Sequence, residues 1–275
     1  MAVSPERFNI AGDLLAGPDG DGRWNNLGYW KSAQNYTDAC SALAELHGVA
    51  AGLIASSRLL ELACGHGAAL DLWCDRFGVT RISALEYRPD CVQRIAESKH
   101  PCVVRVVQGR FDLPLFSLFG EERFDAVICV DAAYHASSLE DFLESCLPQL
   151  ADGGVMVFST LVRADAPKQV SVFWQWLSSG LLRLAAIPEN SIMTQGAIQS
   201  VLKSKGMTMT YTDLGPEVFS GFSWWVNVRR KGLGIRRRLS RDWFKAEVVA
   251  LWTKWLVRKP AFRYLLITVS MSRGV

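Results

Sequence analysis

A short run of acidic and small residues follows the first apolar strand pattern of the chain. This run is Glu61-Leu62-Ala63-Cys64-Gly65-His66-Gly67, and it leads into a helical pattern. Glycine is required where a ligand passes within van der Waals distance of the backbone, because any Cβ would collide with it. Glu86 ends the next predicted strand, where a carboxylate can bind both hydroxyls of a ribose. Together these features predict a site for a nucleoside-containing cofactor. Glu61 either contacts that cofactor or only fixes the loop by accepting backbone N–H bonds.

Three polar residues follow the fourth predicted strand, and their types suit work on a substrate. Asp131, Tyr134 and His135 come directly after Val130. His135 is either a general base with a tunable pKa or a residue that packs at the start of a helix. Asp131 is either a partner for a base or carbocation or the cap of the following helix. The residues alone leave these alternatives open.

Strand patterns alternate with helical patterns over most of the chain. The predicted strands are 58–63, 81–86, 102–107, 124–130, 154–159, 207–213 and 263–270, and the predicted helices before residue 151 are 36–53, 67–77, 89–98 and 139–150. Such alternation requires a mostly parallel sheet covered by helices on both faces. We therefore expect a Rossmann-like, doubly wound α/β fold with seven strands. Ligands of such folds lie beyond the carboxyl ends of the strands.

Two aromatic-rich segments interrupt this alternation and predict helical lid insertions at about 161–205 and 216–258. The residues expected to form an apolar substrate wall are Trp174, Trp176, Trp224 and Trp225. The first 25 residues are rich in Gly, Pro and Asp, and they predict a mobile N-terminal arm over 1–25. We expect residues 26–275 to form one cofactor-binding domain that carries both insertions.

The ordered motifs resemble those of the class I S-adenosylmethionine-dependent methyltransferases. The run from Glu61 to Gly67 resembles their D/E-x-G-x-G-x-G loop, and Leu150-Ala151-Asp152-Gly153-Gly154 resembles their L-x-P-G-G turn. Gly28-Tyr29-Trp30 with Tyr36, and Asp131-Ala132-Ala133-Tyr134-His135-Ala136, are similar to segments of the tocopherol and sterol C-methyltransferases. The resemblance covers residues 27–215. A nicotinamide-binding fingerprint fits less well, because Leu70 stands where it needs a third glycine.

The resemblance implies S-adenosyl-L-methionine as the cofactor and no metal. The implied cofactor-binding residues are Tyr29, Tyr36, Glu61, Ala63, Gly65, Gly67, Glu86, Tyr87, Arg110, Phe111, Asp112 and Val130. The implied catalytic residues are His135, Asp131 and Tyr134. Ala63 replaces the first loop glycine of the family. No acidic residue directly follows Gly109, so either Asp112 or the backbone N–H groups of Arg110 and Phe111 are expected to contact adenine.

The predicted function is methyl transfer to carbon, oxygen or nitrogen of a small, largely apolar metabolite, such as an isoprenoid or another secondary metabolite. One alternative is a cofactor-dependent cyclisation or isomerisation without methylation. Another is a phosphate- or membrane-binding module with a vestigial site. An NAD-dependent oxidoreductase is disfavoured because no Tyr-x-x-x-Lys pair accompanies the glycine loop. Nucleic acid is not an expected partner, because no RNA-binding module or Asn-Pro-Pro-Tyr-type motif is found.

Composition and charge narrow the class of protein. With 49% hydrophobic residues, the chain is neither disordered nor of low complexity. The net charge of +3 hides a basic C-terminal region, in which only Asp242 and Glu247 oppose the Lys and Arg residues after Val226. This region is either a solvated helix face or a contact for a diphosphate or a peripheral membrane. Seven cysteines without a C-x-x-C pair, and the lack of a secretory pattern, predict reduced thiols in a cytoplasmic enzyme of open oligomeric state.

Overall fold

Seven strands form one sheet in the part of the chain that the structure, a computed structural model, describes: residues 11–164, 179–258 and 261–272. The strands are β1 (Arg58–Leu62), β2 (Arg81–Glu86), β3 (Val103–Gln108), β4 (Phe124–Cys129), β5 (Leu150–Arg163), β6 (Met207–Asp213) and β7 (Phe262–Met271). Their order is β3-β2-β1-β4-β5-β7-β6. The predicted Rossmann-like, doubly wound, mostly parallel sheet is confirmed.

The direction of strand order reverses between β1 and β4. β1 pairs in parallel with β2 and with β4, β2 with β3, and β4 with β5. Only β7 runs antiparallel to its neighbours β5 and β6 among these pairs. Loops that leave β1 and β4 turn toward opposite sides of the sheet, which opens a crevice beyond their carboxyl ends. The strand order therefore places the loop after β1 and the residues after β4 on either side of one crevice.

Ten named helices surround the sheet within the described residues, and several of them begin at a capping side chain. They are α1 (Gly12–Ala16), α2 (Tyr36–Ala50), α3 (Ala68–Phe77), α4 (Pro89–Ser98), α5 (Phe116–Phe119), α6 (Leu139–Cys146), α7 (Gln195–Ser204), α8 (Gly215–Gly232), α9 (Ile235–Arg238) and α10 (Arg241–Arg258), and residues 179–184 are also helical. Asn35, Ser138 and Thr194 cap α2, α6 and α7 by accepting a backbone N–H from the third residue of the helix. The α6 helix ends earlier than the predicted 139–150, because Pro148 cannot donate to a helix, and residues 147–149 form a 3₁₀ turn. No described helix is long and apolar enough to cross a membrane.

The two faces of the sheet bury separate apolar cores. Leu60 and Leu62 of β1 lie in one core with Phe142 of α6. Leu59 points to the other face, into the core that contains Trp73 of α3. This alternation follows from the two-residue period of a strand, and each fully buried leucine contributes about 1.5–3 kcal/mol. Glu61 is the polar exception within this buried strand, with 3% of its surface exposed.

Residues 11–25, which the sequence places in a mobile arm, contact the rest of the domain at several points, although Asp13, Pro18 and Asp19 are exposed. Leu15 is fully buried, and Trp24 is nearly so. The indole N–H of Trp225 donates to the Leu15 carbonyl at 3.0 Å, and Arg229 Nε donates to the Leu14 carbonyl at 2.8 Å. Two leucines thus anchor this segment to α8. The Gly- and Pro-rich composition of residues 17–22 indicates a loop and gives no sign of the contacts that Leu14 and Leu15 make with α8.

One disulfide bond joins Cys74, near the end of α3, to Cys102, just before β3. Their Cα atoms lie 6.1 Å apart, within the usual range for a disulfide. The other five cysteines are free and buried. The expectation of seven reduced thiols is therefore wrong at two positions. The fold brings together residues that are 28 positions apart, a proximity that cysteine spacing alone does not reveal.

Candidate active site

A cavity lies beyond the carboxyl ends of β1 to β4, where the strand order reverses. Residues from the loops after all four strands line it. The predicted residues on its wall are Glu61, Ala63, Gly65, Glu86, Tyr87, Arg110, Phe111, Asp112, Val130, Asp131, Tyr134 and His135. Tyr29, Tyr36 and Gly67 are outside the described lining. The fold thus brings most of the predicted site residues together, and their individual roles stay predictions.

The glycine loop adopts left-handed backbone at three positions. Ala63 has φ of 56°, Gly65 60° and Gly67 83°. A Cβ on Gly65 would approach only the Arg88 guanidinium, at 3.4 Å, so open space lies on its cavity side. A Cβ on Gly67 would instead press on Leu70 and Ile95, at 3.1 and 3.2 Å. The missing side chain of Gly65 therefore leaves space in the cavity, whereas the missing side chain of Gly67 lets the loop pack closely on α3 and α4. Ala63 adopts a conformation that costs an ordinary residue about 1–2 kcal/mol.

Glu61 places a buried carboxyl on the cavity wall. The Trp73 indole N–H donates to Glu61 Oε2 at 2.8 Å. Burial raises the pKa of Glu61 to about 8; the Trp73 hydrogen bond opposes this rise, and the nearby Glu86 carboxylate adds to it. A carboxyl in this state is stabilised when a positively charged group approaches it. The site can therefore receive a cation.

Glu86 is held firmly at the end of β2. Its Oε2 accepts the Gly65 N–H at 2.8 Å, and its Oε1 accepts both the backbone N–H and the Nε–H of Arg88 at 3.0 Å. A carboxylate has about four lone-pair sites, so three bonds leave capacity for another donor. Sequence reasoning did not identify Arg88, which also lines the cavity. The sequence signal for Arg88 was its position two residues after Glu86, close enough for an ion pair with that strand-ending carboxylate.

Asp112 is bound on several sides by protein groups. Arg110 donates to both of its oxygens, from Nε at 2.9 Å and from Nη2 at 2.5 Å. The Ser137 N–H and hydroxyl donate to Asp112 Oδ2 at 2.6 and 2.8 Å. Burial alone would raise the pKa of Asp112, but these hydrogen bonds and the Arg110 charge outweigh burial and lower it. The Asp112 carboxylate thus fixes the loop after β3 to the start of α6.

Asp131 is the centre of a buried hydrogen-bond network that reaches the cavity. The hydroxyls of Tyr134 and Tyr264 donate to its Oδ1 at 2.8 and 2.5 Å, and the Leu27 N–H donates to its Oδ2 at 2.7 Å. Burial raises the pKa of Asp131 to about 6, against the opposing effect of these three hydrogen bonds. Its backbone has φ of 53°, a strained conformation for a non-glycine residue. Asp131 does not cap α6, because Ser138 does so.

Behind Asp131 the network continues through Ser159 to His47. Ser159 Oγ accepts the Asp131 N–H at 2.9 Å and lies 3.1 Å from His47 Nε2. His47 Nδ1 lies 2.8 Å from the Leu43 carbonyl, so it is the protonated nitrogen. Burial lowers the pKa of His47 to about 4, which keeps the ring neutral. The Ser159 hydroxyl can then donate to His47 while its oxygen accepts the Asp131 N–H, and the three groups that contact the Asp131 carboxylate, from Leu27, Tyr134 and Tyr264, all donate to it.

His135 lies beside this network, on the cavity wall. Its Nδ1 is 3.2 Å from the Ala186 carbonyl, and its ring packs against Tyr134 with centroids 4.6 Å apart. Donation from Nδ1–H leaves Nε2 as the acceptor nitrogen of the neutral ring. Burial lowers the pKa of His135 to about 4. The imidazole is therefore in its proton-accepting form at neutral pH, but it is a weak base.

A segment near the N-terminus closes one side of the cavity. Residues 23–27 line the wall, and sequence reasoning missed them. Tyr36, which was predicted to face the cofactor, is fully buried and donates its hydroxyl to the Asn26 carbonyl at 2.9 Å. Leu27 is held by Asp131. In the structure Tyr36 thus supports the wall from behind.

The far side of the cavity is mostly apolar. Its apolar residues come from the end of β5, from residues 181–187, and from α8 and α10; they are Leu161, Leu181, Leu184, Ala185, Ile187, Phe219, Phe222, Ala246, Val248, Val249 and Trp252. The polar residues on this side are Asp242, Lys245 and Thr253 of α10. Trp224 and Trp225, predicted for this wall, pack against Trp30 instead, with ring centroids 6.0 and 5.6 Å apart. Trp174 and Trp176 lie outside the described residues. Both predicted insertions contribute to the wall, although through other residues than expected.

One group of residues within the described ranges could place three metal ligands together. His66, Asp90 and Cys91 bring ligand atoms within 4.8 Å of one another behind the glycine loop. Burial lowers the pKa of His66, and the charges of Arg88 and Arg94 lower it further. Two guanidinium groups so close disfavour a bound cation. We therefore assign no metal to this group.

Comparison with known proteins agrees with this geometry. A family model described as a methyltransferase domain matches residues 29–211. The erythromycin 3''-O-methyltransferase of Saccharopolyspora erythraea is 29% identical over 154 residues, which cover 53% of this chain and 48% of that protein. The matched regions span less than half the length of the curated relatives.

Solved structures share the fold over nearly the whole chain. The mycolic acid cyclopropane synthase CmaA1 complexed with SAH and CTAB has a TM-score of 0.74 at 14% identity, covering 98% of this chain and 99% of that one. The geranyl diphosphate C-methyltransferase of Streptomyces coelicolor A3(2) has a TM-score of 0.63 at 16% identity, covering 98% of each chain. At such identities the likeness concerns the fold.

The family match covers more than half of the chain and includes the glycine loop, Glu86 and the residues after β4. The resemblance inferred from the motifs is thereby confirmed. The chain belongs to the methyltransferase domain family, and its glycine loop, strand-end acid and strand order correspond to the class I, S-adenosyl-L-methionine-dependent members that the motifs resemble.

Proposed function

We propose that this chain transfers a methyl group from S-adenosyl-L-methionine to a small, largely apolar metabolite. The observation that carries the proposal is a cavity with two chemically different halves. Glycine backbone and the carboxyl groups of Glu61 and Glu86 line one half, and leucine, valine and aromatic side chains line the other. The halves meet at Asp131 and His135. Such a division suits a polar cofactor on one side and an apolar acceptor on the other.

The polar half fits the cofactor on two independent observations. Gly65 leaves open space where a side chain would lie, and the Glu86 carboxylate is fixed beside it by the Gly65 N–H. Glu61 is buried, with a pKa raised to about 8, and a positive charge beside it would restore its ionised form. We expect Glu61 to face the ammonium group of the methionine portion and Glu86 to accept the ribose hydroxyls.

When bound, the cofactor supplies a methyl group on a positively charged sulfur. The remaining requirement is that the acceptor atom be held in line with the breaking bond while water is excluded. Leu161, Phe219, Phe222 and Trp252 form the apolar wall that can do both. The buried Asp131 adds a negative charge at the junction, which favours positive charge nearby.

Oxygen or nitrogen acceptors must also lose a proton. The two candidate bases at the junction are His135, with a pKa of about 4, and Asp131, with a pKa of about 6. His135 is neutral at pH 7 and can accept a proton without losing an ion pair. A base this weak suits an acceptor group that is itself acidic or that loses its proton late in the reaction. The relative named for 3''-O-methylation of erythromycin supports oxygen as the acceptor.

A diphosphate-bearing substrate has less support. Arg229, Arg236 and Arg237, which belong to the basic C-terminal region, are not among the described residues that line the cavity. Arg229 instead donates to the Leu14 carbonyl. The basic residues on the wall are Arg23, Arg88, Arg110 and Lys245, and Arg88 and Arg110 are paired with Glu86 and Asp112. We therefore propose an acceptor without a diphosphate.

The glycine loop provides the test, because the chain offers a matched control. Gly65 and Gly52 have φ of 60° and 61°, and a Cβ on Gly52 would meet nothing within 4 Å. Gly65→Ala and Gly52→Ala should therefore lose similar stability, about 1 kcal/mol each. Calorimetric titration with S-adenosylhomocysteine should show at least tenfold weaker binding for Gly65→Ala and unchanged binding for Gly52→Ala. Equal affinities of the two variants, or no binding by the wild-type chain, would contradict the proposal. A product mass increased by one CH2 then separates methylation from cyclisation.

A further inference from the structure

The connection between α8 and α10 carries large apolar side chains that face solvent. We define the helical tip as residues 228–244, which contain the end of α8, all of α9 and the start of α10. Ile235 is 75% exposed, Leu239 80% and Phe244 62%. No residue of α9 is buried. Exposed apolar side chains this closely grouped are unusual on a surface that only meets water.

The outward faces of the two long helices continue this surface. On α8, Trp224 and Val228 are exposed at a spacing of four residues, opposite the buried Phe219, Phe222 and Val226. On α10, Phe244 and Leu251 are exposed at a spacing of seven. Residues four and seven apart lie on the same side of a helix. Each helix thus has one apolar side in the protein core and a second, partly apolar side that faces outward.

Positive charge surrounds these apolar residues. Within the described chain, the side chains of Lys231, Arg236, Arg237 and Arg241 are exposed and form no ion pair. Arg230 is paired with Glu247 at 3.2 Å, and Arg238 donates to the Leu233 and Lys231 carbonyls. Asp242 is the one acidic residue of the tip. The tip therefore presents a mixed apolar and cationic surface with cations that can accept new partners.

The tip is continuous with the rim of the cavity. Asp242 and Lys245, in the first turns of α10, line the cavity, and the next turns provide Val249 and Trp252 of its apolar wall. A ligand that arrives at the tip would thus meet the helix that forms the substrate side of the site.

We propose that the helical tip docks on an anionic lipid bilayer. Ile235, Leu239 and Phe244 would enter the interface between headgroups and acyl chains, while Lys231, Arg236, Arg237 and Arg241 contact lipid phosphates. Apolar residues interleaved with arginine on one surface are the pattern of a peripheral membrane contact. An acidic protein partner would satisfy the arginines, but it would leave the strongly exposed Ile235, Leu239 and Phe244 without an apolar environment. Delivery of a lipid-dissolved acceptor to the cavity rests on the proposed function, whereas the docking itself does not.

Vesicle co-sedimentation tests the docking without any measurement of activity. The probes are phosphatidylcholine vesicles with and without 30% phosphatidylglycerol, roughly the range in which anionic lipid gives a strong surface potential. The apolar variant is Ile235→Ser with Leu239→Ser, and the charge variant is Arg236→Gln with Arg237→Gln. Matched controls are Val104→Ser with Phe116→Ser, whose side chains are 58% and 57% exposed near the β3 edge, and Arg81→Gln with Lys203→Gln.

The wild-type chain should sediment with anionic vesicles at low salt and should dissociate as salt screens the arginines. The charge variant should bind about 20-fold more weakly, since each basic residue near such a surface contributes roughly fivefold. The apolar variant should bind at least tenfold more weakly, and both control pairs should bind like wild type. Each variant should keep wild-type affinity for S-adenosylhomocysteine, which verifies its fold.

Absence of wild-type binding to anionic vesicles would overturn the proposal, as would equal loss in tip and control variants. Vesicle binding lost only in the charge variant would also overturn it, because the apolar residues would then have no role. Failure of S-adenosylhomocysteine binding with intact vesicle binding would contradict the proposed function and leave the docking standing.

Discussion

The raised pKa of Glu61 makes a quantitative prediction about cofactor binding. The carboxyl has a pKa of about 8 in the structure, so only about 1% of it is ionised at pH 6 and half at pH 8. If a cationic ammonium group binds beside Glu61 and keeps it ionised, each binding event at pH 6 to 7 must release a proton. The affinity for S-adenosylhomocysteine should then rise with pH, by up to about 50-fold between pH 6 and pH 8.

Glu61→Gln removes the charge but keeps an oxygen for the Trp73 indole N–H. We expect this variant to bind S-adenosylhomocysteine with an affinity that varies little from pH 6 to pH 8, and to show the largest deficit relative to wild type at pH 8. The same substitution should stabilise the protein without cofactor. A carboxyl whose folded pKa lies above its unfolded value of 4.5 destabilises the fold increasingly as pH rises through that interval, by at most about 5 kcal/mol at pH 8.

Isothermal titration calorimetry in two buffers with different ionisation enthalpies measures both the affinity and the proton release. Thermal unfolding at pH 6 and pH 8 measures the stability effect. Glu121→Gln, at an exposed glutamate outside the cavity lining, is the matched control and should leave all three quantities unchanged. A wild-type affinity that is flat with pH and releases no proton would refute the assignment of Glu61 to the cationic end of the cofactor.

Three further outcomes test the rest of the site. Asp131→Asn should lower the free energy of unfolding by about 2–4 kcal/mol, because the new amide would face the Leu27 N–H; urea titration measures it, and faster amide exchange at Leu27 would locate it. His135→Gln should reduce kcat at least tenfold, and the wild-type rate should show no His135 inflection between pH 6 and 8, because its pKa of about 4 lies below that range. An inflection that disappears in the variant would contradict this. Trp73→Phe should raise the pKa of Glu61 further and weaken S-adenosylhomocysteine binding several-fold at pH 7, by calorimetry, since the indole N–H favours the ionised carboxylate.

Local patterns predict the frame of this protein well. The ranges 81–86, 89–98 and 207–213 match β2, α4 and β6 residue for residue. These elements have clear boundaries, such as Pro89 at the first position of α4, and their apolar residues follow the expected period. The prediction of β5 is shorter than the observed strand, because β5 extends to Arg163 by pairing with β7, a partner about a hundred residues later. Strand ends that depend on a distant partner have no local signal.

The site residues also divide into those that local sequence patterns predict and those that only the fold reveals. Gly65, Glu86 and His135 were predicted because motif and strand end coincide, and all three line the cavity. Residues 23–27 and Trp252 also line it, yet no local pattern marks them, and Phe219 and Phe222 line it from the inner face of α8. Aromatic character alone predicts Trp224 and Trp225 for the wall, but the buried face of α8 contains Phe219 and Phe222 instead. Helical periodicity, applied to this segment, would have distinguished the inner aromatic residues from the outer ones.

Asp131 illustrates why a residue's role can lie outside the alternatives that its neighbours offer. Its sequence context admits a helix cap or a chemical group, and Ser138 takes the cap. The structure adds a third role, since Asp131 joins Leu27, 104 residues earlier, to Tyr264, 133 residues later. Three donors must converge on this carboxylate to offset the cost of burying it, and each comes from a different part of the fold. Its left-handed backbone is held by the same contacts. A change that displaces residues 24–27 therefore removes the Leu27 N–H from the Asp131 carboxylate and favours its protonated form. The position of this N-terminal segment thus controls the charge of Asp131 on the cavity wall.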